Sequence, residues 1–289
     1  MRNVILAAFL LASATPANAR TVKILTYNIG GIPDILFPLP RREGRVAKIA
    51  DILARRKYDV VCLQEVWLQK DANYISRKAD YPYSARLRIN STLTALFGNG
   101  LLILSRFPIV EARFFPYSIN APVFSLLDAD FWATKGLLAV RLKINGKEID
   151  VYTTHMTAST DDRRHSSIRK IQTMELIDSV YLFSRGGPFV ITGDFNSKIG
   201  WPEYTMLTST LRLRDTCMRD GANSCGVTDP LDHKLDFIFL SDHFPQDALK
   251  NARIDFRWSR PYPFMELSDH QAIGVTFECC GNVKMDRRR

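Results

Sequence analysis

The chain of 289 residues has few glycines and prolines, 15 and 14, with no repeat and no low-complexity stretch. Those scarcities exclude collagen-like, linker-rich and wholly disordered architectures. Beyond the first 19 residues there is no apolar run long enough to span a bilayer. An acidic excess is missing too: 39 Lys and Arg against 30 Asp and Glu leave a formal charge of +9. A basic chain suits polyanions or anionic surfaces, and charge alone does not choose between nucleic acid and lipid headgroups. Five cysteines do not demand a disulfide scaffold, and an odd number leaves one thiol free or paired between chains. What remains is an ordinary folding composition, 46% hydrophobic, with ample chain to bury a core.

Arg2 precedes the apolar run Val4–Leu11, and Ala17-Asn18-Ala19 closes it with a small-x-small step. That order predicts a secretory signal peptide over residues 1–19, cleaved near Ala19, and an extracellular or periplasmic protein. Cys217 and Cys225 flank the turn-rich Asp220-Gly221-Ala222-Asn223 and are spaced to close a small disulfide loop. Cys62 lies in an apolar run and is expected as a buried thiol. Nothing divides residues 20–281, which form one expected domain, and residues 282–289 form a basic tail. No obligate protein partner is implied, and a monomer is expected.

Strand-like runs are Lys23–Asn28, Val60–Glu65, Gly100–Ser105, Leu137–Leu142, Ile149–His155, Phe189–Thr192, Leu235–Leu240 and Ala272–Phe277. Val46, Ile49, Ile52 and Leu53 share one helical face, while Ile168, Ile171, Met174, Ile177 and Tyr181 mark a longer amphipathic helix. Strands outnumber helices and alternate with them irregularly, which favours a mixed α/β sandwich over a Rossmann-like wheel.

Polar residues collect at the ends of these strands. Asn28, Glu65 and His155 each end one, Asp194 and Asn196 follow another, Asp236 begins one, and Asp269-His270 precede the last. Taken singly, each has a plain structural explanation: a turn cap for Asn28, a solvated strand end for Glu65, a hydrogen-bonded core histidine for His155. Strand ends converge on one rim of a sheet, so together these groups can surround one cleft. Carboxylate and amide oxygens suit Mg²⁺ or Ca²⁺, and a histidine beside a carboxylate supplies a general base. Metal, base and amide donors are what attack of water on a phosphodiester requires.

Thr26-Tyr27-Asn28, Leu63-Gln64-Glu65, Gly193-Asp194-Phe195-Asn196, Leu235-Asp236-Phe237 and Ser268-Asp269-His270, in that order, resemble the DNase-I-like endonuclease/exonuclease/phosphatase superfamily. The resemblance runs from about residue 23 to 277. It implies an α/β (α+β) fold, a four-layer sandwich of two packed mixed β-sheets flanked by helices, with the cleft across their top. It also implies roles. Glu65, with Asn28 beside it, binds Mg²⁺ or another divalent cation such as Mn²⁺ or Co²⁺, and Asp269 touches a second metal or supports its neighbour. His270 takes a proton from water and is oriented by Asp236. Asp194 and Asn196 position water and phosphate, and His155 stabilises the phosphoryl oxygens. The general acid stays open between His155 and a water on the metal.

Three further features bear on substrate. The segment from Asn99 to Ile109 is similar to a strand of the neutral sphingomyelinases. Asp130, five residues before Lys135-Gly136, resembles that branch's Asp…Lys-Gly element, which shapes the site around a phosphocholine ester. His155-Met156-Thr157-Ala158 matches the branch's His-x-Gln-Ala in part, Thr157 replacing Gln. Aromatic and apolar loop segments suit insertion at a headgroup interface: Ile32–Leu39, Phe114–Tyr117, Phe124–Leu127, Phe131-Trp132, and Phe256 with Trp258, Tyr262 and Phe264. The expectation is an exported, metal-dependent phosphodiesterase that converts sphingomyelin, or a related phospholipid, to ceramide and phosphocholine. One alternative is a secreted DNase-I-like nuclease, favoured by basic clusters such as Arg163-Arg164 and Arg55-Arg56-Lys57. The last of these also fits a cationic helix end. Another alternative is a catalytically silent membrane- or receptor-binding module, against which the intact polar set speaks.

Overall fold

In the computed structural model, which describes residues 20–32, 42–86, 98–119, 134–158, 162–257 and 267–279, strands β1 (Arg20–Asn28), β2 (Val60–Gln64), β3 (Tyr83–Ala85) and β4 (Leu102–Ser105) open the chain. Between them lie helices α1 (Arg42–Arg56) and α2 (Gln69–Lys78). The second half of the fold comprises β5 (Ile109–Pro116), β6 (Gly136–Ile144), β7 (Lys147–His155), α3 (Asp162–Phe183), β8 (Phe189–Asp194), α4 (Pro202–Thr210) and β9 (Leu213–Asp215). The short β10 (Met218–Arg219) and β11 (Ala222–Asn223) precede β12 (Asp236–Ser241), β13 (Leu249–Asp255) and β14 (Ala272–Cys279). One six-stranded sheet has the order β13-β14-β1-β2-β4-β3, and a second has β5-β6-β7-β8-β12-β9. Both are mixed, because β1 and β2 run parallel, as do β7 and β8, and the other pairs are antiparallel.

Side chains two apart along a strand share a face, and that period builds the layers. Val22, Ile24, Val60, Cys62 and Ile103 of the first sheet meet Val140, Val151, Val190 and Ile238 of the second in a central apolar layer. The intervening residues face outward. Leu25, Tyr27, Val61 and Leu63 pack under Ile49, Leu53 and Ile75 of α1 and α2. Tyr152, Ile191, Phe237 and Phe239 pack under Leu176, Val180 and Phe183 of α3 and Leu207 of α4. The result is the expected four-layer sandwich, helix–sheet–sheet–helix. Cys217 and Cys225 are disulfide-bonded around the β10–β11 hairpin, and burial pushes the Cys62 thiol up to about 12.

Two sequence expectations need correction. The inward face of α3 is only in part the one its apolar residues suggest: Ile168 and Ile177 are buried, but Met174 is 52% and Tyr181 60% exposed, and Ile171 is exposed as well. The buried stripe runs through Ile168, Gln172, Leu176, Ile177, Val180 and Phe183. Polar Arg169, Gln172 and Thr173 occupy its first half because Gln172 and Arg169 hydrogen-bond Thr157 in the segment after β7. Similarly, Phe115, Tyr117 and Phe256 are not interfacial. They point from strand ends into the two sheet–helix layers.

Arg141 on β6 is a buried hub whose guanidinium donates to both Asp150 oxygens at 2.8 and 3.1 Å and to Glu111 at 2.7 Å. Removing it strands the Asp150 carboxylate, itself 3% exposed. Arg141→Met is expected to lower unfolding stability by about 3–5 kcal/mol, read as the shift in urea midpoint at unchanged m-value. A loss below about 1 kcal/mol would show that the pair is replaceable at little cost.

Candidate active site

The face that is apolar through the middle of the sandwich turns polar at one end. Continuing the inward period, β1 adds Thr26 and Asn28, β2 adds Gln64, β7 adds Thr153 and His155, β8 adds Thr192 and Asp194, and β12 begins at Asp236. Gln64 Nε2 ties the lower tier together, donating to Thr26 Oγ1 at 3.1 Å and Thr153 Oγ1 at 2.8 Å across the two sheets. Above that tier the strands end and the carboxylates meet. The pairings His155 with Asp194 and Asp194 with Asp236 place three of these groups side by side on neighbouring strands.

Asn28 is the centre. Its Nδ2 donates at 3.0 Å to Glu65 Oε1 and at 3.0 Å to Asp194 Oδ2, while its Oδ1 accepts from the Gly30 amide. Glu65 follows β2 with φ of 58°, a conformation uncommon outside glycine. A Cβ on Gly31 would sit 2.2 Å from the Glu65 carbonyl oxygen, so this turn requires a bare backbone at position 31. Asn196, also left-handed, donates its amide to Asp194 Oδ1 at 3.0 Å and its Nδ2 to Met156 O at 3.1 Å. His270 Nδ1 and Asp236 Oδ2 are 2.8 Å apart, and His270 Nε2 lies 3.6 Å from Asp194 Oδ2. His155 Nε2 is 3.6 Å from the same oxygen and 4.0 Å from Glu65 Oε1.

Seven sequence-selected residues, Asn28, Glu65, His155, Asp194, Asn196, Asp236 and His270, therefore converge. Asp269 is exposed beside them, its Oδ1 accepting from Ser268 Oγ at 3.2 Å. Lys135 is buried, and its charge is felt at both Glu65 and His155. Asp130, Phe131, Trp132, Trp258 and Phe264 lie outside the described residues. Sequence reasoning missed the supports. Ser268 donates to the Asn28 carbonyl at 2.7 Å and accepts from the His270 amide, and Arg45 of α1 donates to the carbonyls of Ile29, Gly30 and Leu267. Arg45 gives no local sequence signal of this role, since one of its partners lies 222 positions away.

Electrostatics follow from crowding charge where water is excluded. Burial, reinforced by Asp269, raises the Glu65 carboxyl against the opposing Asn28 hydrogen bond and the charges of Lys135 and His270. Burial and Asp236 push Asp194 up to about 7. His155 is held well below the ordinary histidine range by burial, then by Lys135 and His270, and is neutral. Burial works against charge on His270 too, but Asp236, Asp194 and Asp269 outweigh it and hold the imidazole well above that range. Ligand atoms of Asp194, Asp236 and His270 lie within 4.8 Å of one another. Because His270 and Asp236 already bond each other, that trio is better described as an imidazole–carboxylate dyad with a neighbouring carboxylate. Glu65 is the stronger candidate to hold a cation: its Oε2 is buried and makes no hydrogen bond among the described residues, an arrangement that costs free energy unless a cation or water completes it.

A two-sheet sandwich whose inter-sheet layer ends in carboxylates, an amide and two imidazoles is the DNase-I-like architecture. Residues 25–270 match the Endonuclease/Exonuclease/phosphatase family, and the chain belongs to it. A Drosophila melanogaster protein named as a candidate neutral sphingomyelinase is 28% identical over 275 residues, spanning 87% of this chain and 59% of its own. The inositol phosphosphingolipids phospholipase C of Saccharomyces cerevisiae is 26% identical over 227 residues, 69% of this chain and 46% of its own. The chain thus spans about half the length of these curated relatives. Among solved structures, a variant of the beta toxin of Staphylococcus aureus with bound magnesium ions superposes with a TM-score of 0.72 at 19% identity, over 89% of this chain and 99% of the toxin.

Raised carboxyl groups make the fold sensitive to pH and metal together. Asp194 titrates near 3.8 when unfolded and about 7 when folded, so its contribution to stability is present below the lower value and lost as pH rises between the two. A divalent ion that binds the ionised carboxylates reverses that loss, and protons compete with it at low pH. Mg²⁺ at about 100 times its dissociation constant should stabilise the protein by about 2.7 kcal/mol near pH 8 and far less near pH 5. Calorimetric melting temperatures with Mg²⁺ and with EDTA at both pH values check this. Equal shifts at the two values would remove Asp194 and Glu65 from the ion's environment.

Proposed function

We propose that this protein is a metal-dependent phosphodiesterase that hydrolyses sphingomyelin, or a closely related phosphosphingolipid, releasing ceramide and the phosphorylated headgroup. The observation that carries the reading is the His270–Asp236 dyad at 2.8 Å, its free Nε2 turned toward the Asn28–Asp194–Glu65 cluster. The sphingolipid preference is supported by the relatives named above and by the Asp130…Lys135-Gly136 resemblance, Lys135 being buried with its charge felt at Glu65.

Glu65, with Asn28 alongside, holds the divalent ion, and Mg²⁺ is the first choice because carboxylate and amide oxygens are hard donors. When bound, the ion offsets the charge that grows on the phosphoryl oxygens. The protein's own groups do the rest. His270, neutral once a cation held at Glu65 offsets the carboxylates that keep it charged, accepts the proton of the attacking water at Nε2, while Asp236 at Nδ1 fixes the tautomer and stabilises the imidazolium that re-forms. Asp194 and Asn196 orient water and phosphate. His155, neutral and aimed at the same spot, donates an N–H to a phosphoryl oxygen without adding charge. Asp269 stands at the mouth, where its carboxylate supports the charge on His270.

We further propose that Trp258, Phe264, Phe131 and Trp132 contact the membrane surface. Export near Ala19 rests on the Arg2, Val4–Leu11 and Ala17-Asn18-Ala19 pattern.

The deciding experiment offers the purified chain vesicles of sphingomyelin, vesicles of an inositol phosphosphingolipid, and plasmid DNA, each with Mg²⁺ and with EDTA. Phosphocholine release with intact DNA is expected, abolished by EDTA and by Glu65→Ala. His270→Ala should lower kcat by about 10²–10⁴-fold without weakening the melting-temperature shift given by Mg²⁺. Nicked DNA beside untouched lipid would overturn the lipid reading in favour of a nuclease. Release from the inositol lipid alone would keep the ceramide phosphodiester and change the headgroup.

A further inference from the structure

Asp236 begins β12 of the second sheet and His270 lies just ahead of β14 of the first, so their 2.8 Å contact depends on the register between two separately built layers. Within its own sheet His270 is fixed by Ser268, whose hydroxyl bonds both the His270 amide and the Asn28 carbonyl. Something must also hold it against β12. Thr228, fully buried in the segment between β11 and β12, bonds to both sides. Its Oγ1 accepts from the amides of Leu235 at 2.9 Å and Asp236 at 3.2 Å. Its carbonyl accepts from the amide of Gln271, the residue after His270, at 2.9 Å. Its own amide donates to the His233 carbonyl at 2.7 Å, closing the loop that returns to β12. Gln271 Nε2 adds a parallel bond to the Val227 carbonyl at 3.0 Å.

These bonds form a ring: Thr228 hydroxyl, Asp236 backbone, Asp236 carboxylate, His270 imidazole, Gln271 amide, Thr228 carbonyl. We propose that Thr228 is a positioning residue for the general base, clamping Asp236 and His270 in one register across the two sheets. Fully buried, it acts through the dyad rather than on the reacting atoms. The assignment rests on the hydrolase reading for its effect on turnover, and on geometry alone for its effect on the dyad. Threonine suits the task because a single hydroxyl oxygen can accept from two amides while the β-branch restricts its rotamer. Valine keeps the shape and removes the acceptor, leaving two buried amides unpaired.

Three measurements test the clamp. Thr228→Val should lower kcat on sphingomyelin vesicles by up to about 100-fold, the scale of a small misplacement of reacting groups. KM should change by less than about threefold, because substrate contacts are untouched, and Thr228→Ser, which keeps the oxygen, should recover most of the turnover. In the metal-free protein, the downfield proton resonance of the His270–Asp236 hydrogen bond should be present in the wild type and Thr228→Ser and lost in Thr228→Val. In the wild type, the amides of Leu235, Asp236 and Gln271 should exchange with deuterium together, as one protected unit. A folded Thr228→Val retaining the resonance and its kcat would overturn the proposal. So would independent exchange of the Gln271 and Asp236 amides, a result that stands even if the valine variant does not fold. If the wild type hydrolyses no sphingolipid, the resonance and exchange data still decide the clamp separately.

Discussion

One amide holds two carboxylates together where two sheets meet. Asn28 donates one N–H to Glu65 in the first sheet's turn and the other to Asp194 at the end of a strand in the second. Two carboxylates sharing one dry pocket would otherwise repel, and strongly at low effective dielectric. The amide brings two donors and no charge of its own. An aspartate at this position would add a third acceptor, and a lysine would neutralise carboxylate charge that suits a cation. The contact also fixes geometry. It requires β1 to end level with β8, and the Gln64 tier below, bonded to Thr26 and Thr153, sets that level.

The rest of the rim follows from taking a sandwich core and making one end polar. Along the inward faces, valine and isoleucine give way to threonine and glutamine, then to asparagine, aspartate and histidine, with no change in the period of two. Partnerless buried atoms gather toward the last tier: among the described residues Gln64 Oε1 lacks a hydrogen bond below, and Glu65 Oε2, Asp236 Oδ1 and His155 Nδ1 lack one at the rim. Such atoms are costly in a structural core and expected in a site that completes itself on binding. The same burial separates the two histidines. With carboxylates around it His270 is pulled toward its charged form, while His155, beside Lys135, is kept neutral. Two imidazoles on one rim are thus driven toward opposite protonation states by their surroundings, the kind of perturbation that clusters at functional sites.

Much of this was legible in the sequence, for a definable reason. A strand ending in Asn28, Glu65, His155 or Asp194 announces itself locally, because a polar residue interrupts an apolar run. The sandwich was legible from the irregular succession of such runs. Residues whose importance lies in distant partners were not. Arg45 reaches Leu267 and Ser268 reaches Asn28, more than two hundred positions away in each case. Thr228 is an ordinary threonine in a turn-rich segment until its two ends are followed to Asp236 and Gln271. The misjudged face of α3 has the same origin. Apolar spacing favoured Ile171, Met174 and Tyr181, but Gln172 and Arg169 are drawn inward by Thr157, a demand that exists only once the segment after β7 is in place. Phe115, Tyr117 and Phe256 show the converse: aromatics near the rim in sequence are claimed by the sheet–helix layers before a membrane can use them.

Catalysis and substrate choice are therefore written in different parts of the chain. The candidate site residues stand on strand ends and tight turns held by buried hydrogen bonds, a placement that leaves little conformational freedom. The connections β1–α1, β3–β4, β5–β6 and β13–β14 all leave and rejoin the sandwich at this same rim, as the pairings of Asn28 with Gln64, Leu63 with Leu102, Pro116 with Gly136, and Asp255 with Ala272 require. Asp130 with Phe131 and Trp132, and Trp258 with Phe264, belong to two of those connections. A fold organised this way can keep one mode of attack on phosphorus while exchanging the segments around it. It follows that the strand-end residues speak for phosphodiester hydrolysis in general, whereas a preference among phosphodiesters has to be sought in residues outside the strand ends.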